Sequence, residues 1–190
     1  MKREDVLETM TDLGALHRGH FLLSSGLHSD TYFQCARILQ YPELARELGA
    51  LIAEEIADET FDVVVSPALG GILIGHEVAR ALGRRFVFTE RKDGEMVMRR
   101  GFALDKGEKA LIVEDVVTRG TSMREVMAVV EAQQGVAAGL SAIIDRTGDG
   151  ADLPRPLVSL ARVEVATWEA ASCPLCADGV QLVKPGSRGN

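Results

Sequence analysis

The sequence predicts an α/β fold in which a mostly parallel central sheet is flanked by helices, with a small hood formed by the N-terminal segment. From residue 61 onward, short runs rich in Val, Ile and Leu alternate with amphipathic segments, which is the pattern of repeated βαβ units. Those runs are apolar throughout, as expected when helices cover both faces of a sheet. A length of 190 residues fits one domain, since domains average about 150 residues.

The first 40 residues predict the hood. Apolar side chains spaced three and four apart predict a short opening helix over residues 4–16. Residues 20–35 then join apolar and aromatic side chains across a Ser-Gly turn, which predicts two short strands or an irregular flap. A longer amphipathic helix is predicted over residues 42–57, with Pro42 suited to its first turn.

The remaining elements alternate along the chain. The periodicity predicts strands over residues 61–65, 85–90, 109–115 and 140–145, and helices over residues 71–82 and 122–133. Residues 156–168 predict a later edge strand, and residues 170–190 form a C-terminal tail. Because ligands bind beyond the carboxyl ends of strands in open parallel sheets, the loops after the four strands are the expected functional positions.

Composition and charge exclude several function classes. With 46% hydrophobic and 26% charged residues the chain is typical of a globular protein. A net charge of −7 argues against a general nucleic-acid binder, which needs a basic surface. The start lacks a secretory signal, and no apolar run approaches the roughly 20 residues that cross a bilayer. Three cysteines do not make a disulfide framework, so we expect a cytoplasmic protein without membrane or nucleic-acid partners.

The loop over residues 114–122 carries the strongest chemical signal. A buried strand ends in Glu114 and Asp115, and a short loop with Thr118, Gly120 and Ser122 opens a helix. Free N–H groups at a helix start and nearby hydroxyls suit a phosphate, whereas two carboxylates suit sugar hydroxyls or a hydrated Mg²⁺. The alternative is an ordinary N-capped loop. The lysine that a P-loop requires is missing from this segment.

Two other loops support an anionic substrate. Gly70 and Gly71 follow a strand and precede a helix, an arrangement that suits a diphosphate but also closes ordinary βα turns. Residues 90–102 place four cations around an Asp-Gly turn that predicts a β-hairpin. Charged hairpins are usually solvated edges, yet cations beside a phosphate site would stabilise a leaving diphosphate.

These motifs resemble those of the phosphoribosyltransferases, in particular the orotate phosphoribosyltransferase family in its longer bacterial branch. The resemblance covers nearly the whole chain: residues 20–34 are similar to the hood, 90–94 to a mobile catalytic loop, 143–146 to the strand end that meets orotate, and 173–188 to the tail. It implies transfer of the phosphoribosyl group of 5-phosphoribosyl 1-diphosphate to orotate. It also implies Mg²⁺, bound mainly through the substrate diphosphate, and a homodimer with shared active sites.

The resemblance also assigns site residues. It implies that the catalytic residues are Lys92, Arg91 and Asp115, with Arg91 reaching into the neighbouring subunit. The residues implied to bind phosphoribosyl diphosphate are Glu114, Asp115, Val116, Val117, Thr118, Arg119, Gly120, Thr121, Ser122, Arg91, Lys92, Gly70 and Gly71. The residues implied to contact orotate are Thr118, Arg146, Tyr32 and Phe33, and a carboxylate partner for Arg146 is also what bidentate guanidinium geometry favours.

This sequence departs from the family at three positions. Many members have Lys or Arg where Ser24 stands and Lys where Gly70 stands. Arg119 occupies a position in the phosphate loop where a small residue is commoner. We therefore expect Arg119 to supply part of the missing positive charge.

Cys173 and Cys176 have the spacing of half a zinc site. The sequence offers no second pair at ligand spacing, so packed thiols and no protein-bound metal are expected. Alternative functions are a phosphoribosyltransferase for another base, a regulatory protein of the same fold that senses phosphoribosyl diphosphate while binding RNA, or a zinc-dependent interaction module.

Overall fold

A computed structural model describes residues 1–23, 26–148 and 153–185. Six strands form the central sheet in the order β5-β4-β3-β6-β7-β8. They are β3 (Val63–Pro67), β4 (Arg85–Lys92), β5 (Glu95–Met98), β6 (Lys109–Val117), β7 (Val136–Asp145) and β8 (Leu157–Arg162). All neighbouring pairs are parallel except β4 with β5, so the predicted mostly parallel α/β sheet is confirmed.

Helices cover both faces of this sheet. The α-helices among the described residues are α1 (Val6–Asp12), α2 (Ala36–Leu39), α3 (Pro42–Glu55), α4 (Gly70–Leu82), α5 (Thr121–Ala132) and the short α6 (Pro174–Ala177). Of these, α1, α3 and α4 pack on one face of the sheet and α5 packs on the other. On β3 the side chain of Val64 joins the apolar cluster of α1, α3 and α4, whereas Val63 and Val65 join the cluster of α5. Both faces are therefore apolar, which explains the uninterrupted valines in the sequence.

A second, three-stranded antiparallel sheet forms the hood. Its order is β1-β2-β9, with β1 (Leu16–Leu22), β2 (His28–Phe33) and β9 (Thr167–Trp168). The two predicted N-terminal strands are thus present. Residues 24 and 25, which include the departure at Ser24, lie outside the described residues.

Several predicted boundaries were wrong; β7, for example, begins at Val136 and not at residue 140. The opening helix stops at Asp12, because Gly14 adopts a left-handed φ of 62° that ends a helix and lets β1 begin at Leu16. The predicted edge strand over 156–168 is divided: β8 is the edge of the central sheet, whereas β9 pairs with β2 in the hood. Strand β6 continues to Val117, two residues further than predicted, because it keeps pairing with β7.

The Asp93-Gly94 turn closes a hairpin between β4 and β5, as predicted. Lys92 pairs with Glu95 across it, and both turn residues have positive φ, 53° and 91°. That combination is the one a two-residue hairpin turn requires. Within the described residues, no helix is both long and apolar enough to span a membrane.

Candidate active site

A cleft of about 800 Å³ opens where β6 and β7 end, beneath the hood. It brings together most of the residues that the sequence assigned to the substrates: Tyr32, Phe33, Glu114, Val116, Val117, Thr118, Arg119, Gly120, Thr121, Ser122 and Arg146. Because β6 and β7 are parallel neighbours, their carboxyl ends meet at one edge of the sheet. This is the position at which open α/β sheets bind ligands.

The loop from Thr118 to Gly120 connects β6 to α5. Gly120 is the residue before α5 and has a φ of 68°, which favours glycine. A Cβ atom at Gly120 would also lie 2.5 Å from Cδ2 of Leu153, so the position is closed to larger residues. The first N–H groups of α5 have no acceptor within the helix and face this edge of the sheet. The loop therefore offers N–H and hydroxyl donors to a phosphate.

The two carboxyl groups at the end of β6 differ in their surroundings. Burial and, to a smaller extent, the negative charge of Asp115 together raise the pKa of Glu114 to about 8, although a hydrogen bond from Ser122 partly opposes them. Burial also raises the pKa of Asp115, although the N–H of Val116 donates to its Oδ1 at 2.9 Å. Glu114 is thus mostly protonated at neutral pH in the ligand-free chain. Its ionised form becomes favourable when a hydrogen-bond donor or a cation lies beside it.

Arg146 lies directly after β7, and its guanidinium stacks on Phe33 with 5.3 Å between Cζ and the ring centroid. Its backbone N–H donates to the carbonyl of Val117 at 2.8 Å, which fixes it beside the phosphate loop. Burial lowers the pKa of Arg146, and the charge of Asp30 partly offsets this. The buried Nε has no hydrogen-bond partner among the described residues. A buried donor of this kind indicates a missing acceptor.

The hood supplies the other wall of the cleft. Tyr32 and Phe33 end β2, and the Tyr32 hydroxyl donates to Oε1 of Gln34 at 3.0 Å. Burial, followed by the charge of Asp115, raises the pKa of Tyr32, so the phenol remains a neutral hydrogen-bonding group. One face of the cleft is thus aromatic, which suits a planar ring.

Gly70 and Gly71 start α4 and lie next to the acidic pair. A Cβ atom at Gly70 would lie 2.9 Å from both carboxylate oxygens of Asp115. A Cβ atom at Gly71 would lie 3.0 Å from the carbonyl of Val113, so this glycine lets α4 approach β6. The peptide between Ala68 and Leu69, just before them, is cis. Neither glycine lines the cleft, and their contact with a diphosphate stays a prediction.

Arg91 and Lys92 also lie outside the residues that line the cleft. Arg91 forms an ion pair with Glu125 of α5 and donates to the carbonyl of Gly94 at 2.8 Å. Arg100 pairs with Glu90 at 3.0 Å. Arg91 and Arg100 are therefore paired with carboxylates of α5 and β4 in this structure, and the catalytic role of the hairpin stays a prediction.

Sequence reasoning missed several lining residues. They are Leu22, Leu23, Leu27, Thr147, Gly148, Glu164, Val165, Thr167 and Pro185. Leu22 to Leu27 belong to the segment identified as the hood, but nothing in the sequence indicated that the β8–β9 connection and the tail return to the same cleft. Residues 149–152, which follow Arg146 closely, and the tail residues 186–190 lie outside the described residues.

His28, which starts β2 of the hood, does not line the cleft. It is buried and lies beside His20, Cys173 and Cys176. Spacing along the chain could not reveal this grouping, since the histidines and cysteines are separated by more than 140 residues.

Comparisons with known proteins agree with this geometry. Residues 34–168 match the model of the family described as "Phosphoribosyl transferase domain". The chain is 51% identical to the orotate phosphoribosyltransferase of Acidithiobacillus ferrooxidans, over 100% of this chain and 99% of the relative. It is 46% identical to that of Caldicellulosiruptor bescii, over 99% of each. The crystal structure of orotate phosphoribosyltransferase from Aeropyrum pernix superposes with a TM-score of 0.65 at 25% identity, covering 83% of this chain and 93% of that one.

Proposed function

The chain belongs to the orotate phosphoribosyltransferases, within the phosphoribosyltransferase family, and from this premise we propose which residues carry out each part of the reaction. The phosphoribosyl group of 5-phosphoribosyl 1-diphosphate is transferred to orotate, giving orotidine 5′-monophosphate and pyrophosphate, a step in the synthesis of UMP. A bond forms between C1 of the ribose and a ring nitrogen of orotate, which gives up its proton. The bond from C1 to the diphosphate oxygen breaks, and its electron pair leaves with the diphosphate.

Arg146 is the observation that supports orotate as the acceptor. Its buried Nε has no acceptor among the described residues, and its guanidinium stacks on Phe33 within the cleft. Orotate combines a planar ring with a carboxylate, and a guanidinium binds a carboxylate through two parallel hydrogen bonds. Thr118 and the backbone near Tyr32 complete the base site in this proposal.

The loop from Thr118 to Ser122 binds the 5-phosphate. Its N–H groups and hydroxyls lie at the start of α5, where the helix dipole favours an anion. Asp115, with Glu114 beside it, binds the ribose hydroxyls, because a carboxylate accepts two such hydrogen bonds. Hydrogen bonds donated by the ribose hydroxyls would stabilise the charged form of the Glu114 carboxyl, whose pKa is raised to about 8 in the ligand-free chain.

Mg²⁺ fits this site as a partner of the substrate diphosphate. Two half-buried carboxyl groups adjoin the loop that precedes α5, and burial raises the pKa of both; a cation beside them would favour their charged forms. Asp115 and Glu114 are the residues that would contact the hydrated ion. When bound, the ion neutralises negative charge on the leaving diphosphate.

Arg91 and Lys92 stabilise the leaving diphosphate in this proposal, and Gly70 and Gly71 leave room for it. Release of Arg91 from Glu125 would allow the hairpin to close over the substrate and exclude water that otherwise hydrolyses the activated ribose. We place these cations at an active site shared in a homodimer, and we place the enzyme in the cytoplasm, since its described cysteines are unbridged thiols.

The decisive experiment is to mix the protein with Mg²⁺, phosphoribosyl diphosphate and orotate and to follow orotate absorbance. Orotate should be consumed, whereas adenine, guanine, hypoxanthine and uracil should not. Arg146→Ala and Arg146→Lys should each raise KM for orotate by about 100-fold, because lysine cannot form the paired hydrogen bonds of a guanidinium. The exposed Arg84→Ala serves as the matched control. Turnover of another base without turnover of orotate would overturn the assignment.

A further inference from the structure

Four side chains that could bind a metal ion meet where β1 and β2 of the hood approach the C-terminal segment. They come from β1 (His20), β2 (His28) and the turn around α6 (Cys173 and Cys176). One ligand atom from each lies within 4.8 Å of the other three. None of the four lines the cleft, so the proposed reaction does not use them.

The distances match a tetrahedral site. Nε2 of His20 lies 2.9 Å from Nδ1 of His28 and 3.4 Å from Sγ of Cys173. Sγ of Cys176 lies 3.8 Å from Nε2 of His20 and 3.3 Å from Nδ1 of His28. Around zinc the edges are about 3.3 Å between two nitrogens and about 3.6 Å between nitrogen and sulfur, given bonds of about 2.0–2.1 Å and 2.3 Å. The remaining two edges, which both involve Sγ of Cys173, are no longer than 4.8 Å, so movements of at most about 1 Å would complete the coordination.

The tautomer of His20 is already the one that a metal needs. Nδ1 of His20 lies 2.8 Å from the carbonyl oxygen of Val180, and a carbonyl only accepts, so Nδ1 carries the proton. The lone pair of Nε2 therefore points towards the cluster. Metal-bound histidines in proteins are usually oriented by such a hydrogen bond.

Burial separates this cluster from a chance group of surface residues. The exposed fractions of His20, His28 and Cys173 are 2%, 4% and 4%, whereas Cys176 is exposed to solvent. Burying two imidazoles and a thiol costs free energy unless their polar atoms are satisfied. A dication bound by two thiolates and two neutral imidazoles satisfies all four.

We propose that His20, His28, Cys173 and Cys176 bind one structural Zn²⁺ ion. Two sulfur and two nitrogen ligands in tetrahedral arrangement select zinc over Mg²⁺ or Ca²⁺, which prefer oxygen. Four protein ligands leave no open coordination position, so the ion is structural rather than catalytic. Its binding releases the two thiol protons to solvent.

The site links the hood to the C-terminal segment. Val183 pairs with β1 through hydrogen bonds of 2.8 Å to His20 and Leu22, and Leu22 and Pro185 line the cleft. A zinc ion bound by β1, β2 and the turn at α6 would hold these cleft walls together. The hood sheet has only three short strands, and small units of this kind commonly depend on metal for stability.

Metal analysis of the full-length protein tests the proposal directly. Untagged protein isolated without chelator should contain about one zinc per chain, and Cys173→Ser, Cys176→Ser and His20→Ala should each lower this at least tenfold. Cys35→Ala and His76→Ala, which alter a cysteine and a histidine elsewhere, should retain the metal. Metal retained in Cys173→Ser would overturn the proposal.

Since a variant can fail to fold, the wild-type protein supplies an independent test. X-ray absorption at the zinc edge should show two sulfur neighbours at about 2.3 Å and two nitrogen neighbours at about 2.0–2.1 Å. Cobalt substituted for zinc should give the visible bands of a tetrahedral dithiolate site. Reduced wild-type protein that contains neither zinc nor cobalt after incubation with each would overturn the proposal, as would a Cys173–Cys176 disulfide in protein isolated with its thiols blocked.

Discussion

The carboxyl group of Asp115 lies where a side chain at residue 70 would have to be. A Cβ atom built at Gly70 comes within 2.9 Å of Oδ1 and Oδ2 and within 3.0 Å of Cγ. The two loops that were assigned to the ribose and to the diphosphate are thus in contact. The glycine at this position, where many family members have lysine, leaves room for the carboxylate.

Gly70→Ala should therefore impair activity without unfolding the protein. The added methyl group displaces the carboxyl group of Asp115 and disturbs its hydrogen bond from the N–H of Val116. The fold should tolerate the change, since alanine is a better helix former than glycine by about 1 kcal/mol. We expect KM for phosphoribosyl diphosphate to rise about tenfold, equivalent to about 1.4 kcal/mol. Steady-state kinetics and thermal melting measure the two effects. Gly83→Asn, at the left-handed end of α4, is the control and should leave KM unchanged.

Glu114→Gln should stabilise the ligand-free protein at alkaline pH. The pKa of Glu114 is raised from 4.5 to about 8, so the folded state binds a proton more tightly than the unfolded state. That contribution to stability is present in full below pH 4.5 and is lost as pH rises through about 8. The neutral amide should therefore raise the melting temperature at pH 8.5 by about 4 °C, or about 1–2 kcal/mol, and change it little at pH 4.5.

The same substitution should lower turnover, because an amide cannot replace a carboxylate towards ribose hydroxyls and a hydrated cation. Exposed Glu59→Gln is the matched control for the melting experiment. If Glu114→Gln and the wild-type protein melt at the same temperature at every pH, the raised pKa of Glu114 is contradicted.

Lys92→Ala should lower kcat at least 100-fold with little change in melting temperature. Lys92 is exposed at the end of β4, so its removal costs little folding energy, whereas stabilisation of a leaving group acts in the transition state. Exposed Lys106→Ala is the control. Equal activity of Lys92→Ala and wild-type protein would show that another cation of the hairpin is the catalytic one.

Mixing two impaired variants, assayed at low orotate concentration, tests whether the active site is shared. If Lys92 serves the partner's cleft, refolded mixtures of Lys92→Ala and Arg146→Ala should regain about one quarter of wild-type activity, since half of the dimers are mixed and each has one intact site. No recovery, together with a dimer in light scattering, would place Lys92 at the cleft of its own chain.

Arg119→Ala should weaken the phosphoribosyl donor specifically. Arg119 is exposed and lines the cleft within the phosphate loop, so it adds positive charge without being held by a buried contact. We expect KM for phosphoribosyl diphosphate to rise about fivefold, with a smaller difference at high salt, because exposed charges are screened. An unchanged KM at low salt would remove Arg119 from the site; KM for orotate serves as the internal reference.

Local sequence patterns were sufficient to predict the fold class and the family, and they point to the segment that we propose binds the phosphate. These rest on local information: unbroken Val and Ile runs predict a sheet covered on both faces, and Glu114 to Ser122 form one continuous segment. The hairpin between β4 and β5 was also predicted correctly, because the two adjacent residues Asp93 and Gly94 are sufficient to define its turn.

Contacts between distant segments could be read from the folded structure alone. It placed Gly70 against Asp115, moved β9 into the hood, paired Arg91 with Glu125 and raised the pKa of Glu114 through burial. It also supplied His20 and His28 as the second half of a ligand set that Cys173 and Cys176 begin. Burial and long-range contacts depend on how separate segments pack, and residue spacing along the chain does not contain that information.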